Sequence, residues 1–185
     1  MQAAEQTLTA VRGLLETYGP RHYGEAVTQL DHAVQGAVLA REAGDDEEII
    51  LAAFLHDVGH LLEHDGVETM GDYGVMAHDK LGADWLRAHG FSERVAQLVA
   101  LHVPAKRYLC AIDAGYYAEL SEASKITLGY QGGPMNANEV AAFAALPDCE
   151  AALRVRRLDE AAKDGGWSLA DVEWIWPMMA AHLAR

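Results

Sequence analysis

Two histidines and an aspartate stand together in Leu55-His56-Asp57-Val58-Gly59-His60, at the end of the most apolar stretch of the chain. Nearly every residue from Ile49 to Leu55 is apolar, so this segment is expected to form the central, most buried helix. An aspartate there needs a partner, because burying an unpaired charge costs far more than a packing contact returns. A metal ion would satisfy Asp57; a core histidine beside an exposed aspartate would give the same dipeptide. Four further positions weigh toward metal. His32 follows the apolar face made by Leu30, Val34, Ala37 and Val38. His78 lies three residues after Val75 and seven before Trp85. His102 lies seven after Val95 and three after Val99, and Asp159 lies four after Val155 and seven after Ala152. Each spacing puts the polar side chain on the inward face of its helix. Imidazole with carboxylate suits zinc, iron, manganese and similar ions, and six such ligands suffice for two ions bridged by Asp57. No thiolate joins the set, which argues against a structural zinc site.

The elements that must carry these groups read as helices throughout, with no alternating stretch to suggest a strand. The first helix is expected over 3–18, stopped by Gly19-Pro20, and the second over 24–43, ended by Gly44. Asp45 and Glu48 have the spacing of a capping box for a third helix, with Leu51, Phe54, Leu55 and Val58 as its core stripe. A loop rich in Gly and Asp follows over 64–74, then a helix over 75–88 closed by Gly90. Ser92 is expected to cap the next helix, which Pro104 interrupts. Shorter helices are expected within 113–129, before the break at Gly132-Gly133-Pro134, and another over 147–162. Asn136 with Glu139, and Ser168 with Asp171, have the spacing of two later caps.

The chain of 185 residues suits one domain spanning 1–185, and a domain of that size buries roughly 70% of the surface its unfolded chain exposes. It needs no disulfide, and Cys110 and Cys149 read as reduced packing residues. The start of the chain lacks the pattern of a secretory signal and no apolar run is long enough to span a membrane, so a cytoplasmic location is expected. A net charge of −14 disfavours long nucleic acid, whose phosphates such a surface repels, but leaves room for a small anion in a locally basic pocket. The sequence does not fix an oligomeric state.

The order His32, His56-Asp57, Asp159 resembles the H…HD…D signature of the HD superfamily, and the inserted His78 and His102 match its two-metal branch. Within it, the chain is most similar to the mixed-valent di-iron oxygenases that cleave 1-hydroxyphosphonates. The stretches that carry this likeness are Gly24-Glu25-Ala26, Leu55 to His60, Met70-Gly71-Asp72-Tyr73-Gly74-Val75, Gly90 to Ala96, His102-Val103-Pro104-Ala105-Lys106-Arg107-Tyr108-Leu109 and Tyr130-Gln131-Gly132-Gly133-Pro134-Met135. The resemblance implies an all-α fold: a single HD-domain helical bundle around a di-metal site. It implies that His32, His56, Asp57, His78, His102 and Asp159 bind two iron ions, as an Fe2+/Fe3+ pair, with O2 as co-substrate.

It further implies that His60, Lys106, Ser124, Thr127 and Arg156 hold the phosphonate, His60 and Lys106 acting in catalysis. Spacing agrees in part. Arg156 and Lys163 lie three before and four after Asp159, Lys106 follows His102 by four, and Ser124 and Thr127 are three apart. Glu25 matches a carboxylate that contacts the substrate's amino end. In the aminoethylphosphonate-cleaving relatives a tyrosine precedes that glutamate by three; here His22 takes that place and the tyrosine is Tyr23. A trimethylammonium group would favour aromatic and acidic neighbours, for which Tyr23, Tyr73, Asp72 and Trp176 are candidates. The resemblance implies oxygen-dependent cleavage of a 1-hydroxy-2-(amino or trimethylammonio)ethylphosphonate to glycine or glycine betaine and phosphate. The same ligands also serve HD phosphohydrolases and an inositol-type oxygenase, and a sensor that keeps the fold without catalysis is a further alternative.

Overall fold

Seven consecutive apolar residues, Ile49 to Leu55, are all buried, so this stretch of helix is covered on every side. The structure is a computed structural model that describes residues 2–62 and 67–185. Its helices are α1 (Gln2–Tyr18), α2 (Gln29–Glu42), α3 (Glu47–Leu55), α4 (His78–Ala88), α5 (Glu93–Ile112), α6 (Ala114–Glu119), α7 (Glu122–Tyr130), α8 (Ala137–Ala144), α9 (Cys149–Ala161) and α10 (Ile175–Leu183). Short 3-10 turns occupy Val58–Leu62, Gly71–Tyr73 and Leu169–Val172. Among the described residues there is no strand, only an isolated bridge between Thr69 and Val75. Positions 64–66 of the expected loop lie outside the described residues. Helix α3 packs against α2, α5, α9 and α10. Its Leu51, Phe54 and Leu55 are at most 2% exposed, and each such side chain contributes about 1.5–3 kcal/mol on burial.

Several boundaries differ from expectation, each for a local reason. Helix α2 starts at Gln29 rather than near residue 24: Thr28 and Asp31 form a full capping box, so 21–27 is a non-helical strap. The cap of α3 is Asp46, whose carboxylate accepts from the Ile49 amide at 2.9 Å, and the Asp45–Glu48 box is absent. Asp45 instead pairs with Arg154 at 2.8 Å, while Glu48 accepts from Ser92 Oγ and Arg94. Arg94 also reaches Asp46 and Asp148, tying α5 to the starts of α3 and α9. Helix α4 begins at His78 because Ala77 sits in the left-handed region at φ 53°, a conformation costing a residue with a Cβ about 1–2 kcal/mol. Pro104 does not interrupt α5; the helix continues through it, without the bond its absent N–H would have made. Ser92 and the Asn136–Glu139 box cap as expected, and Asp171 accepts from Ser168, at a 3-10 turn rather than an α-helix.

Candidate metal centre

Histidines from α2, α4, α5 and the end of α3 converge in two facing pairs. His32 Nε2 and His56 Nε2 are 3.0 Å apart, and so are His78 Nε2 and His102 Nε2. All four are at most 5% exposed. Each points its other nitrogen at a backbone carbonyl: His32 at Ala162 (2.8 Å), His56 at Ala53 (2.9 Å), His78 at Val75 (3.2 Å) and His102 at Val99 (2.6 Å). A carbonyl can only accept, so every Nδ1 carries the proton and every neutral Nε2 presents a lone pair. Two lone pairs facing each other at 3.0 Å repel unless a proton or a metal cation is shared between them, and this happens twice.

Asp57 lies between the pairs. Its Oδ2 is 3.7 and 3.5 Å from His32 and His56 Nε2, and its Oδ1 is 3.6 and 3.5 Å from His78 and His102 Nε2. Asp159 Oδ1 adds to the first pair, 3.2 Å from His32 Nε2. The first pair thus gathers four ligand groups, and the second three. This donor set, each imidazole oriented by a carbonyl behind it, fits two divalent or trivalent ions bridged by one carboxylate. Burial opposes charge on all these groups. Against it, Asp159 lifts His32 and Asp57 lifts His102 above the ordinary imidazole value, while His56 and His78 stay below theirs. Asp57 and Asp159 stay ionised, well below the usual carboxylate range despite burial: His56 faces the first, Arg156 and His32 the second.

His60 has the opposite tautomer. The Val75 amide donates to its Nδ1 at 2.9 Å, which leaves the ring proton on Nε2. It therefore lines the site as a donor, not as a seventh ligand, although its nitrogens lie near Asp57 and His78. Its ring stacks on His78 with centroids 3.8 Å apart, and burial lowers it to about 4, so it is neutral at pH 7. Two glycines allow this packing. A Cβ on Gly59 would fall 1.9 Å from the His78 carbonyl oxygen. One on Gly74, at φ 88°, would fall 2.4 Å from His60 Nδ1.

A pocket opens over the pairs. Lys106, 3% exposed, donates from Nζ to Thr127 Oγ1 at 3.0 Å, and Thr127 bonds back to the Ser124 carbonyl. Burial, reinforced by the Arg156 charge, lowers the Lys106 ammonium to about 7. Arg156 is buried, paired with Asp159 and Glu160, and donates to Tyr116 Oη at 2.8 Å. Lys163 is past the end of α9 rather than on its face, but still lines the pocket, its Nζ 2.9 Å from Glu25 Oε1. Ser121 donates to the same oxygen at 2.7 Å. Tyr23 and Tyr73 line the pocket beside Glu25. Tyr23 donates to the His60 carbonyl at 3.3 Å.

His22 is exposed, so Tyr23 is the member of that pair at the site. Asp72 is exposed and outside the pocket. Trp176 is buried between Phe54 and Arg12, also away from the pocket. Sequence reasoning passed over Gln29 and Gln131, which line the site. Gln131 Oε1 is buried with no hydrogen-bond partner among the described residues. Its place in Tyr130-Gln131-Gly132-Gly133 was the available signal.

Comparison with known proteins agrees with this geometry. The HD domain matches residues 30–159. A Leisingera caerulea protein named [1-hydroxy-2-(trimethylamino)ethyl]phosphonate dioxygenase (glycine-betaine-forming) is 41% identical over 170 residues, covering 91% of this chain and 86% of its own. A hydroxymethylphosphonate dioxygenase of Gimesia maris is 40% identical over 172 residues, covering 91% and 84%. An uncharacterized protein of Acanthamoeba polyphaga mimivirus is 37% identical over 187 residues, covering 100% and 85%. The chain belongs to the HD-domain family, in the company of these phosphonate dioxygenases.

Proposed function

We propose that the chain acts in the cytoplasm, as one HD domain spanning 1–185, and cleaves the C–P bond of a 1-hydroxy-2-(amino or trimethylammonio)ethylphosphonate with dioxygen. The products are glycine or glycine betaine and phosphate. Substrate plus O2 balances carboxylate, hydrogen phosphate and one proton, so the turnover consumes no external reductant. The observation that carries this reading is the pair of facing Nε2 contacts beneath a buried cationic pocket. The relatives' names supply the reaction class.

His32, His56, Asp57 and Asp159 would hold one iron ion, and His78, His102 and Asp57 the other. When bound, the mixed-valent Fe2+/Fe3+ pair supplies Lewis acidity for the substrate's oxygens and the redox capacity to use O2. Lys106, Thr127, Ser124 and Arg156 bind the phosphonate through charge-assisted hydrogen bonds and fix its orientation. His60 donates from Nε2 to the bound substrate and, held by the Val75 amide and the His78 ring, cannot turn away. Glu25 with Tyr23 and Tyr73 receives the nitrogen end, through charge and cation–π contact. Lys163 offsets the Glu25 charge until a cationic group arrives.

The test is phosphate release from 1-hydroxy-2-aminoethylphosphonate and its trimethylammonio analogue by iron-loaded protein, with and without O2. The expected result is release only with O2, one label from 18O2 entering each product. Oxygen-independent release from phosphate esters would instead place the chain among the HD phosphohydrolases. No described helix is long and apolar enough to cross a membrane.

A further inference from the structure

One of the four facing histidines is oriented differently from the rest. His56, His78 and His102 each donate to a carbonyl three residues earlier in the chain, at Ala53, Val75 and Val99. His32 donates from Nδ1 to the Ala162 carbonyl, 130 positions away. Ala162 opens a segment without regular secondary structure, between the end of α9 at Ala161 and the 3-10 turn at Leu169. Two buried side chains of α2 hold that segment. Gln35 Nε2 donates to Asp164 Oδ2 at 3.1 Å, and the Asp164 amide donates back to Gln35 Oε1 at 2.9 Å. Asp31 Oδ1 accepts from the amides of Gly166 and Trp167, both at 2.8 Å. Asp31 and Gln35 are four apart and so share one face of α2, the helix that carries His32.

We propose that Asp31 and Gln35 are positioning residues for the metal centre. By clamping the segment 162–167 to α2, they hold the Ala162 carbonyl where it keeps the His32 proton on Nδ1 and its Nε2 lone pair toward His56 and Asp159. The inference rests on the two-metal reading above. The ring, the carbonyl behind it and the clamp are thereby all fixed to one helix. The other three histidines take their carbonyls from their own stretch of chain and need no such device. The clamp therefore acts on one ion, the one assigned to His32, His56, Asp57 and Asp159, and not on the ion assigned to His78 and His102. It also sets where Lys163, between Ala162 and Asp164, meets Glu25.

Exchanging the two partners tests this. Gln35→Glu sets a carboxylate against Asp164 Oδ2 and breaks that bond. Adding Asp164→Asn restores a donor opposite an acceptor, with the direction reversed. Zinc, which has no redox chemistry, is the probe, titrated into metal-free protein. In Gln35→Glu the affinity for one of two ions is expected to fall about 10- to 100-fold while the other is unchanged. Anomalous diffraction at an intermediate zinc concentration should then show zinc beside His78 and His102 and none beside His32. The double variant should recover both affinities. Gln35→Met, which removes both bonds and keeps the volume, carries the same expectation where Gln35→Glu does not melt cooperatively. Equal weakening of the two ions would mark a general loosening and overturn the inference, as would a folded variant that binds both ions like wild type, or a double variant that recovers nothing. Wild-type protein that takes up fewer than two zinc ions overturns the two-metal reading and this inference with it. Wild-type protein that takes up two but, loaded with iron, releases no phosphate with O2 refutes the oxygenase reading alone.

Discussion

Replacing Arg156 by methionine separates a structural ion pair from a metal ligand. Arg156 is 4% exposed and donates to Asp159, whose other oxygen faces His32 Nε2. Methionine keeps much of the volume and removes the charge. Without metal, Asp159 is left as a buried carboxylate lacking its main cation, and breaking one partner from a buried pair costs about 3–5 kcal/mol. With an ion on His32, His56 and Asp159, that charge stays compensated, and the remaining loss is the hydrogen bonds, about 1–2 kcal/mol. By linkage, the difference of about 2–3 kcal/mol reappears as tighter metal binding, about 30- to 150-fold. For a chain of this size each 1 kcal/mol shifts Tm by about 2–4 °C. The expected drop is therefore about 6–20 °C for metal-free protein and about 2–8 °C for loaded protein. Thermal and denaturant unfolding with and without Fe2+ under anaerobic conditions would measure it, with Zn2+ as a redox-inert control. Equal losses in the two states would refute the assignment of Asp159 as a ligand.

Other expectations follow from the same geometry. His60→Ala should lower kcat/KM about 10²- to 10³-fold while two metal ions per chain remain, since its Nδ1 is committed to the Val75 amide; loss of one ion by elemental analysis would make it a ligand. Lys106, lowered to about 7, is largely neutral above that pH in the free protein and must recover its proton to hold a dianion. Inhibition by methylphosphonate should therefore weaken up to about tenfold per pH unit above 7, and Lys106→Met should abolish that slope; an unchanged slope would remove Lys106 from the anion site. Lys163→Met frees Glu25 and should lower KM for the trimethylammonio substrate several-fold without altering inhibition by methylphosphonate; equal changes in both would show that Lys163 acts on the phosphonate instead.

The helical character of the chain and the inward direction of His32, His78, His102 and Asp159 were legible because burial imposes a period of 3.6 on each helix separately. What period cannot convey is what faces what across helices. The pairing of His32 with His56 and of His78 with His102 depends on the crossings of α2, α3, α4 and α5, and no spacing encodes these. The carbonyl of Ala162, which orients His32, was invisible for the same reason. Local errors came from competition between near-equivalent signals. Asp45 and Asp46 are both cap residues, and Arg154 claims the first. Pro104 reads as a stop, but packing carries α5 through it. Lys163 has the spacing of a helix face, yet α9 ends at Ala161, and the lysine reaches Glu25 from the following loop. Trp176 is aromatic and apolar in equal measure, and the core takes it.

The central claim is a coupled pair of ions bridged by Asp57. Its most direct test is electron paramagnetic resonance of the protein loaded with iron and reduced by one electron per pair. The expected result is a signal of total spin one half from two antiferromagnetically coupled high-spin irons, integrating to one spin per two irons and replaced in Asp57→Asn by uncoupled high-spin ferric iron. A wild-type protein that binds one iron per chain, or two with independent signals, would contradict it.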